Sequence, residues 1–213
     1  MSAHAQARAR SRPRRPGRGR ALRRRILLLL GFVVLTSMAA MAVLSPWADK
    51  AVQEIQLPLR HDDIIRQQAG DKNLDPSLIA GVIYVESRFR DQTSHAGAKG
   101  LMQIMPETAD YIARKSGGTQ FRREDLATPQ INIAYGSWFL RYLIDHYDGN
   151  ETLAIAAYNA GQTNVDGWVD RAGGQEDFDA ARDVPFPETR AYVANVQERR
   201  DEYRDHYSDD LGL

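Results

Sequence analysis

A single glutamate stands out as the residue best placed to do chemistry. Glu86 lies four residues after Val82 and seven after Ile79, on or beside an apolar stripe of Leu78, Ile79, Val82, Val85 and Phe89. A carboxyl held against an apolar wall ionises with difficulty, which keeps a glutamate protonated as a general acid near neutral pH. Spacing alone also allows Glu86 to face solvent near a helix end. Tyr158-Asn159, Gln103 and the region of Trp168 supply stacking faces and hydrogen-bonding groups of the kind that sugars require. Two-carboxylate cleavage of a glycosidic bond needs a partner acid roughly 5–9.5 Å away. Asp91, Glu107 and Asp110 are near in sequence but occupy loop and exposed helix positions. One acid without a partner suits a reaction in which the substrate supplies its own nucleophile and the glutamate serves first as acid, then as base.

Other chemistries are poorly served. The sequence contains no G-x-S-x-G, H-E-x-x-H, phosphate-binding glycine loop or dinucleotide fingerprint. It has no cysteine, which excludes disulfides and thiolate catalysis. His61 beside Asp62 and Asp63, and His146 beside Asp145, lack the spacing of a metal site. No cofactor or metal is expected.

The glutamate needs a helix to carry it. Asp75-Pro76 is a start signal, since the carboxylate can accept from free N–H groups and proline presets the first helical φ. A preceding helix is expected from Arg60 or His61 to Gly70 or Asn73. After Glu86, the loop Arg90 to Gly100 is rich in small residues, and its glycines permit close backbone approach to a ligand. Further helices are predicted from Glu107 to about Lys115, from Thr128-Pro129 to about Tyr147, and from Thr152 to Asn159. The longest carries an apolar set of Ile131, Ala134, Tyr135, Trp138, Phe139, Tyr142 and Leu143. Gly161 to Pro187 reads as mostly irregular apart from a turn at Trp168, and a last helix is predicted from Glu188 to Tyr207. No segment sustains period-two alternation, so the fold class is all-α.

The 213 residues carry 28 basic and 28 acidic side chains, a formal net charge of zero that hides an asymmetry. Ten arginines and no acid lie in residues 1–25, leaving 18 basic against 28 acidic residues, a net of −10, in the remainder. So acidic a body gives no electrostatic reason to bind nucleic acid. Residues 26–44 form an uncharged run long enough to cross a bilayer. The arginines before it are expected to stay in the cytoplasm, placing the chain beyond Leu44 on the periplasmic or cell-wall side of a single-pass inner or cytoplasmic membrane protein. A cleaved signal peptide is the rival reading, with Ala40-Met41-Ala42 as its site, but the run exceeds the usual apolar core of such a peptide. The expected layout is an Arg-rich tail at 1–25, a membrane anchor at 26–44, a stalk at 45–60, a catalytic domain at 61–207 and a short tail at 208–213.

Four separated motifs carry a resemblance to a known family. They are Glu86-Ser87; GAKGLMQIMPETA from Gly97 to Ala109; AAYNAG from Ala156 to Gly161; and VPFPETRAYVANV from Val184 to Val196. In that order, over about 145 residues, they resemble the catalytic domain of the Slt-like lytic transglycosylases, relatives of goose-type lysozyme. His95 stands where the family often has proline after Ser94, and the intervening loop is slightly short.

The resemblance implies a lysozyme-like α-helical domain behind the transmembrane helix, with peptidoglycan glycan strands as its partner. It implies cleavage of the β-1,4 bond between N-acetylmuramic acid and N-acetylglucosamine with 1,6-anhydromuramyl ends. Glu86 corresponds to the acid and base. Ser94, Gln103, Tyr158, Asn159, Glu188 and Tyr192 correspond to substrate-binding or supporting positions, and Ser87 to an orienting one. A lone domain on a stalk suggests work within a cell-envelope protein complex. A goose-type hydrolase and a non-catalytic peptidoglycan-binding scaffold are the alternative functions.

Overall fold

The structure, a computed structural model, describes residues 18–118 and 120–213. The chain divides into two compact units, Met1–Val52 and Gln53–Leu213. The first contains most of helix α1, which runs from Arg18 to Gln56. Its window Arg25–Ala42 has a mean hydropathy of 2.1 and no buried residues, and is long and apolar enough to cross a membrane. Residues 45–56, read from sequence as a stalk, continue the same helix, while residues 1–17 of the Arg-rich tail lie outside the described residues.

The second unit is built from α2 (Asp62–Lys72), α3 (Pro76–Ser87), α4 (Pro106–Ser116), a 3-10 turn (Arg123–Ala127), α5 (Pro129–His146), α6 (Glu151–Ala160), α7 (Gln162–Ala172), α8 (Ala180–Asp183) and α9 (Pro187–Leu211). The described residues contain no β-strand, only isolated antiparallel bridges of Lys99 with Thr93 and with Ile104. The all-α reading therefore holds.

Helix α3 is the centre of this unit. Ser77 to Ile83 are buried on every face, because α2 and α9 both pack on it. Its start follows the expected chemistry: Asp75 accepts from the Ser77 N–H at 2.9 Å and from the Ser77 hydroxyl at 2.6 Å, with Pro76 in the first turn. At Gly81 the backbones of α3 and α9 nearly touch, since a Cβ there would sit 2.9 Å from the Arg200 nitrogen and 3.1 Å from the Val196 carbonyl. That close approach fixes the register of the two helices.

Two sequence expectations are corrected. The buried face of α5 is Asn132, Ile133, Gly136, Ser137, Leu140, Leu143 and Ile144. Of the predicted apolar set only Leu143 is fully buried, and Ile131, Ala134, Tyr135, Trp138, Phe139 and Tyr142 are half-buried at its margin. The groove beside α5 takes small side chains because Met102 fills it: a Cβ on Gly136 would lie 2.3 Å from the Met102 sulfur. The second correction concerns 161–187, which holds helices α7 and α8 rather than mostly irregular chain. Val165 and Trp168, three residues apart, bury α7 against the core, with Trp168 edge-on to Phe186 at 5.2 Å. Trp168 is thus a core residue and offers no stacking face to a ligand.

Where α1 ends, three tyrosine hydroxyls donate to three successive carbonyls. Tyr84 reaches Gln56 at 2.9 Å, Tyr207 reaches Leu57 at 2.8 Å, and Tyr203 reaches Pro58 at 2.6 Å.

Candidate active site

The register set at Gly81 determines what Glu86 meets. Five residues further along α3, and four residues back along α9 from Val196, the Tyr192 hydroxyl donates to Glu86 Oε1 at 2.7 Å. Burial drives the Glu86 pKa from 4.5 up to about 7, against the Tyr192 hydrogen bond, which pulls it down. Its place in the last turn of α3 acts in the same direction as burial, because the negative end of the helix dipole faces it. No other carboxylate or cation among the described residues contributes to the shift. The carboxyl is therefore balanced between its two protonation states near neutrality.

Two tyrosines feel that charge. Tyr192 and Tyr158 are both held well above the ordinary phenol range, first by burial and next by the negative charge of Glu86. Both remain neutral hydrogen-bond groups at any physiological pH. Tyr158, in the last turns of α6, spends its own proton on the Met102 carbonyl at 3.0 Å.

The loop from Arg90 to Met105 forms the other wall, and its geometry is imposed from beneath by Asn132. This α5 side chain is only 1 % exposed; its oxygen accepts from the Met102 N–H at 2.8 Å, and its nitrogen donates to the carbonyls of Lys99 and Leu126 at 2.9 and 3.0 Å. Gly100 has a φ of 77°, and a Cβ there would collide with the Asn132 amide at 2.1 Å, so only glycine lets the loop seat on it. Ser87, also buried, lies with its hydroxyl 2.7 Å from the Leu101 carbonyl and 3.1 Å from that of Ile83. It ties the end of α3 to the loop.

The remaining sequence candidates bond elsewhere than to the acid. Gln103 is in the loop with a φ of 46°, its amide donating to the carbonyls of Gly100 at 2.8 Å and Gln92 at 3.0 Å. Ser94 accepts from the Ala98 N–H at 3.0 Å, closing its own turn, and makes no hydrogen bond to Glu86. Asn159 is exposed and its side-chain oxygen accepts from the buried Thr189 hydroxyl at 2.8 Å. Glu188 is exposed in the first turn of α9, four residues before Tyr192. Glu86, Tyr158 and Tyr192 are thus gathered together, whereas Gln103, Ser94, Asn159 and Glu188 make no hydrogen bond to the acid among the described residues. Sequence reading passed over Asn132 and Thr189. Their signal was a polar residue falling at the periodicity of a buried face.

A run of half-buried aromatic rings leads outward from Tyr158. Phe139 lies 5.6 Å from it, Tyr142 follows at 6.2 Å from Phe139, and Trp138 stacks on Tyr142 at 5.6 Å with planes 5° apart.

With this geometry in view, comparison with known proteins gives a consistent result. The family description "Transglycosylase SLT domain" matches residues 63–180. The chain belongs to the transglycosylase SLT domain family. The soluble lytic murein transglycosylase of Salmonella typhimurium is 34% identical to this SLT chain over 146 residues, which cover 67% of this chain and 23% of the relative. The membrane-bound lytic murein transglycosylase C of Glaesserella parasuis is 39% identical over 112 residues, 48% of this chain and 31% of that one. The structure of an inactive Glu-to-Gln mutant of lytic transglycosylase Slt from Pseudomonas aeruginosa superposes with a TM-score of 0.65 and 33% identity, over 72% of this chain and 25% of that one. The SLT chain spans about a quarter of the length of the soluble relatives it matches.

Proposed function

We propose that the protein is a membrane-anchored peptidoglycan lytic transglycosylase. It would cleave the β-1,4 bond between N-acetylmuramic acid and N-acetylglucosamine. The observation that carries this reading is a half-buried carboxyl, Glu86, whose pKa of about 7 rests on burial and is trimmed by one tyrosine, with no second carboxylate among the described residues contributing to the shift. The family of the chain and the names of its relatives supply the substrate class.

In the first step protonated Glu86 gives its proton to the glycosidic oxygen as the C1–O4 bond breaks. The muramyl C6 hydroxyl then forms the C1–O6 bond, and its proton returns to the Glu86 carboxylate. No water is consumed and the enzyme ends as it began. A pKa near 7 suits both halves, since the same group must donate and then accept. Tyr192 holds the carboxyl in place and stabilises it while it is charged. Tyr158 and Gln103 line the cleavage point, Ser94, Asn159 and Glu188 border the glycan path, and the aromatic run from Phe139 to Trp138 offers faces for sugar rings. The apolar window Arg25–Ala42 supports a single membrane span with the catalytic unit outside the cytoplasm. The membrane-bound relative supports the same anchoring.

The test is mass spectrometry of purified peptidoglycan digested with the full-length chain, beside Glu86→Gln. The expected result is 1,6-anhydromuramyl ends that vanish in the variant, a loss of at least about a thousandfold in rate. Reducing muramyl ends would mean a water nucleophile and overturn the transglycosylase assignment. Cleavage retained by Glu86→Gln would overturn the role of Glu86.

A further inference from the structure

Where α1 ends, an acidic body turns basic. Beyond residue 25 the chain carries 18 basic against 28 acidic residues, yet four of those 18 line a single trough. It is a cavity of about 630 Å³ around which Arg60, Arg88, Arg90 and Arg199 face one carboxylate, Glu54. All of these residues belong to the second unit.

Only one of the four cations is consumed internally. Arg199 pairs with Glu198 at 3.0 Å and with Glu202 at 2.5 Å. Among the described residues Arg60, Arg88 and Arg90 form no ion pair, and all three are exposed. Arg90 gives its Nε–H to the Ser87 carbonyl at 3.3 Å, and Arg88 lies 5.8 Å from the centre of the Tyr84 ring. Neither contact neutralises the charge.

An apolar side chain in the same lining adds an independent observation. Ile55 is 82 % exposed, among guanidinium groups on a polar surface. Arginines beside an exposed aliphatic residue are the composition of a membrane interface, where the cations meet headgroups and the apolar side chain meets the acyl boundary. The chain itself keeps a bilayer close. Ala42 ends the apolar window, and Glu54 in the trough lies 12 positions later. Even fully extended, that length holds the trough within about 43 Å of the window. The membrane is thus a neighbour at high effective concentration, whatever angle α1 adopts. An anionic bilayer repels a body of net charge −10, so a face that rests on one needs cations of its own.

We infer that this trough binds the phosphate of anionic phospholipid headgroups in the membrane that α1 is proposed to cross, through Arg60, Arg88 and Arg90. The inference rests on the membrane span proposed above and not on the cleavage reaction. Planar guanidinium forks pair with phosphate oxygens through two parallel hydrogen bonds. Docking at the trough would hold the second unit against the bilayer in place of leaving it to swing on α1.

The ten arginines of residues 1–25 also attract anionic lipid, so the readout has to be local. Full-length protein is placed in nanodiscs of phosphatidylcholine alone, or of equal parts phosphatidylcholine and phosphatidylglycerol, and amide hydrogen exchange is followed in segments 54–60 and 84–90. Exchange there is expected to slow by about tenfold in the anionic discs, and the combined Arg60→Gln, Arg88→Gln and Arg90→Gln changes to abolish the slowing. Equal exchange in the two discs would overturn the inference, as would slowing that survives the three changes. Inorganic phosphate added to the neutral discs is expected to leave exchange unchanged; equal slowing by phosphate would overturn the lipid as the source of the anion. Arg60→Gln alone lies on a separate segment and is expected to weaken the slowing, which keeps the test decisive if the triple variant fails to fold. Failure of the chain to co-purify with either disc would overturn the membrane span and this inference with it.

Discussion

The two ends of α3 are built on opposite principles. At the N-terminal end everything is satisfied: Asp75 accepts from Ser77 twice, Arg204 pairs with its second oxygen, and Pro76 occupies the first turn. At the C-terminal end two consecutive residues take left-handed backbone, and a carboxyl sits half-buried against the negative pole of the helix. One helix thus gathers its stabilising chemistry at one end and its unfavourable chemistry at the other. The second end persists because α9 closes on α3 at Gly81 and leaves it no room to relax. Strain and an ill-placed charge persist only where the surroundings over-determine them, and here they surround the one group proposed to move a proton.

The sharpest way to break this comparison is to titrate it. The folded-state pKa of Glu86, about 7, lies above its ordinary value of 4.5, so ionisation costs the native state more than the unfolded one. Stability is fully present below the unfolded value and is lost as pH rises toward 7. The stability difference between Glu86→Gln and the parent should therefore grow by on the order of 3 kcal/mol between pH 4 and pH 8, read from denaturant unfolding at the two pH values. A pH-independent difference would show that Glu86 ionises as freely as in water. Tyr192→Phe addresses the same group more gently. It removes the bond that holds the pKa down, so the alkaline limb of kcat/KM should move up by roughly one pH unit. A limb that stays still or moves down would contradict the geometry. The smallest effects separate the two ends directly. Asp75→Ala should lower stability by about 1 kcal/mol through the lost cap, while Arg88→Gly should raise it by up to about 1 kcal/mol by freeing the left-handed turn. Changes of equal sign in thermal unfolding would erase the distinction.

Glu86 and its helix were legible in the sequence because two local signals agreed. Asp75-Pro76 marked the start, and aliphatic residues at three- and four-residue spacing marked the buried face. Helix α5 was legible as a helix but not in its orientation. Its aromatic residues fall at helical spacing and suggest a buried face, yet Met102 reaches into the groove at Gly136, where a Cβ would meet its sulfur. The core side therefore sets Ile133, Leu140, Leu143 and Ile144 beside the small or polar Asn132, Gly136 and Ser137, and the aromatic rings stand at its margin. Helix α7 was hidden by the glycines at 161 and 167, although Val165 and Trp168 already had helical spacing. The Tyr192–Glu86 bond joins residues 106 positions apart and depends on how closely two backbones approach at a glycine. No local pattern encodes that distance. Asn132 was missed for a related reason: its three loop partners belong to segments that only the folded chain brings beneath it.

The three tyrosine hydroxyls on the carbonyls of Gln56, Leu57 and Pro58 have a mechanical consequence. A pull on the chain entering at Gln53 meets three hydrogen bonds to three adjacent peptide units, loaded together rather than one after another. Their donors come from both α3 and α9, the pair that holds Glu86 against Tyr192. Tension is therefore delivered to α3 and α9, the most extensively packed pair of helices in the unit, and shared between them, and the point of attachment doubles as a brace for the proposed catalytic geometry.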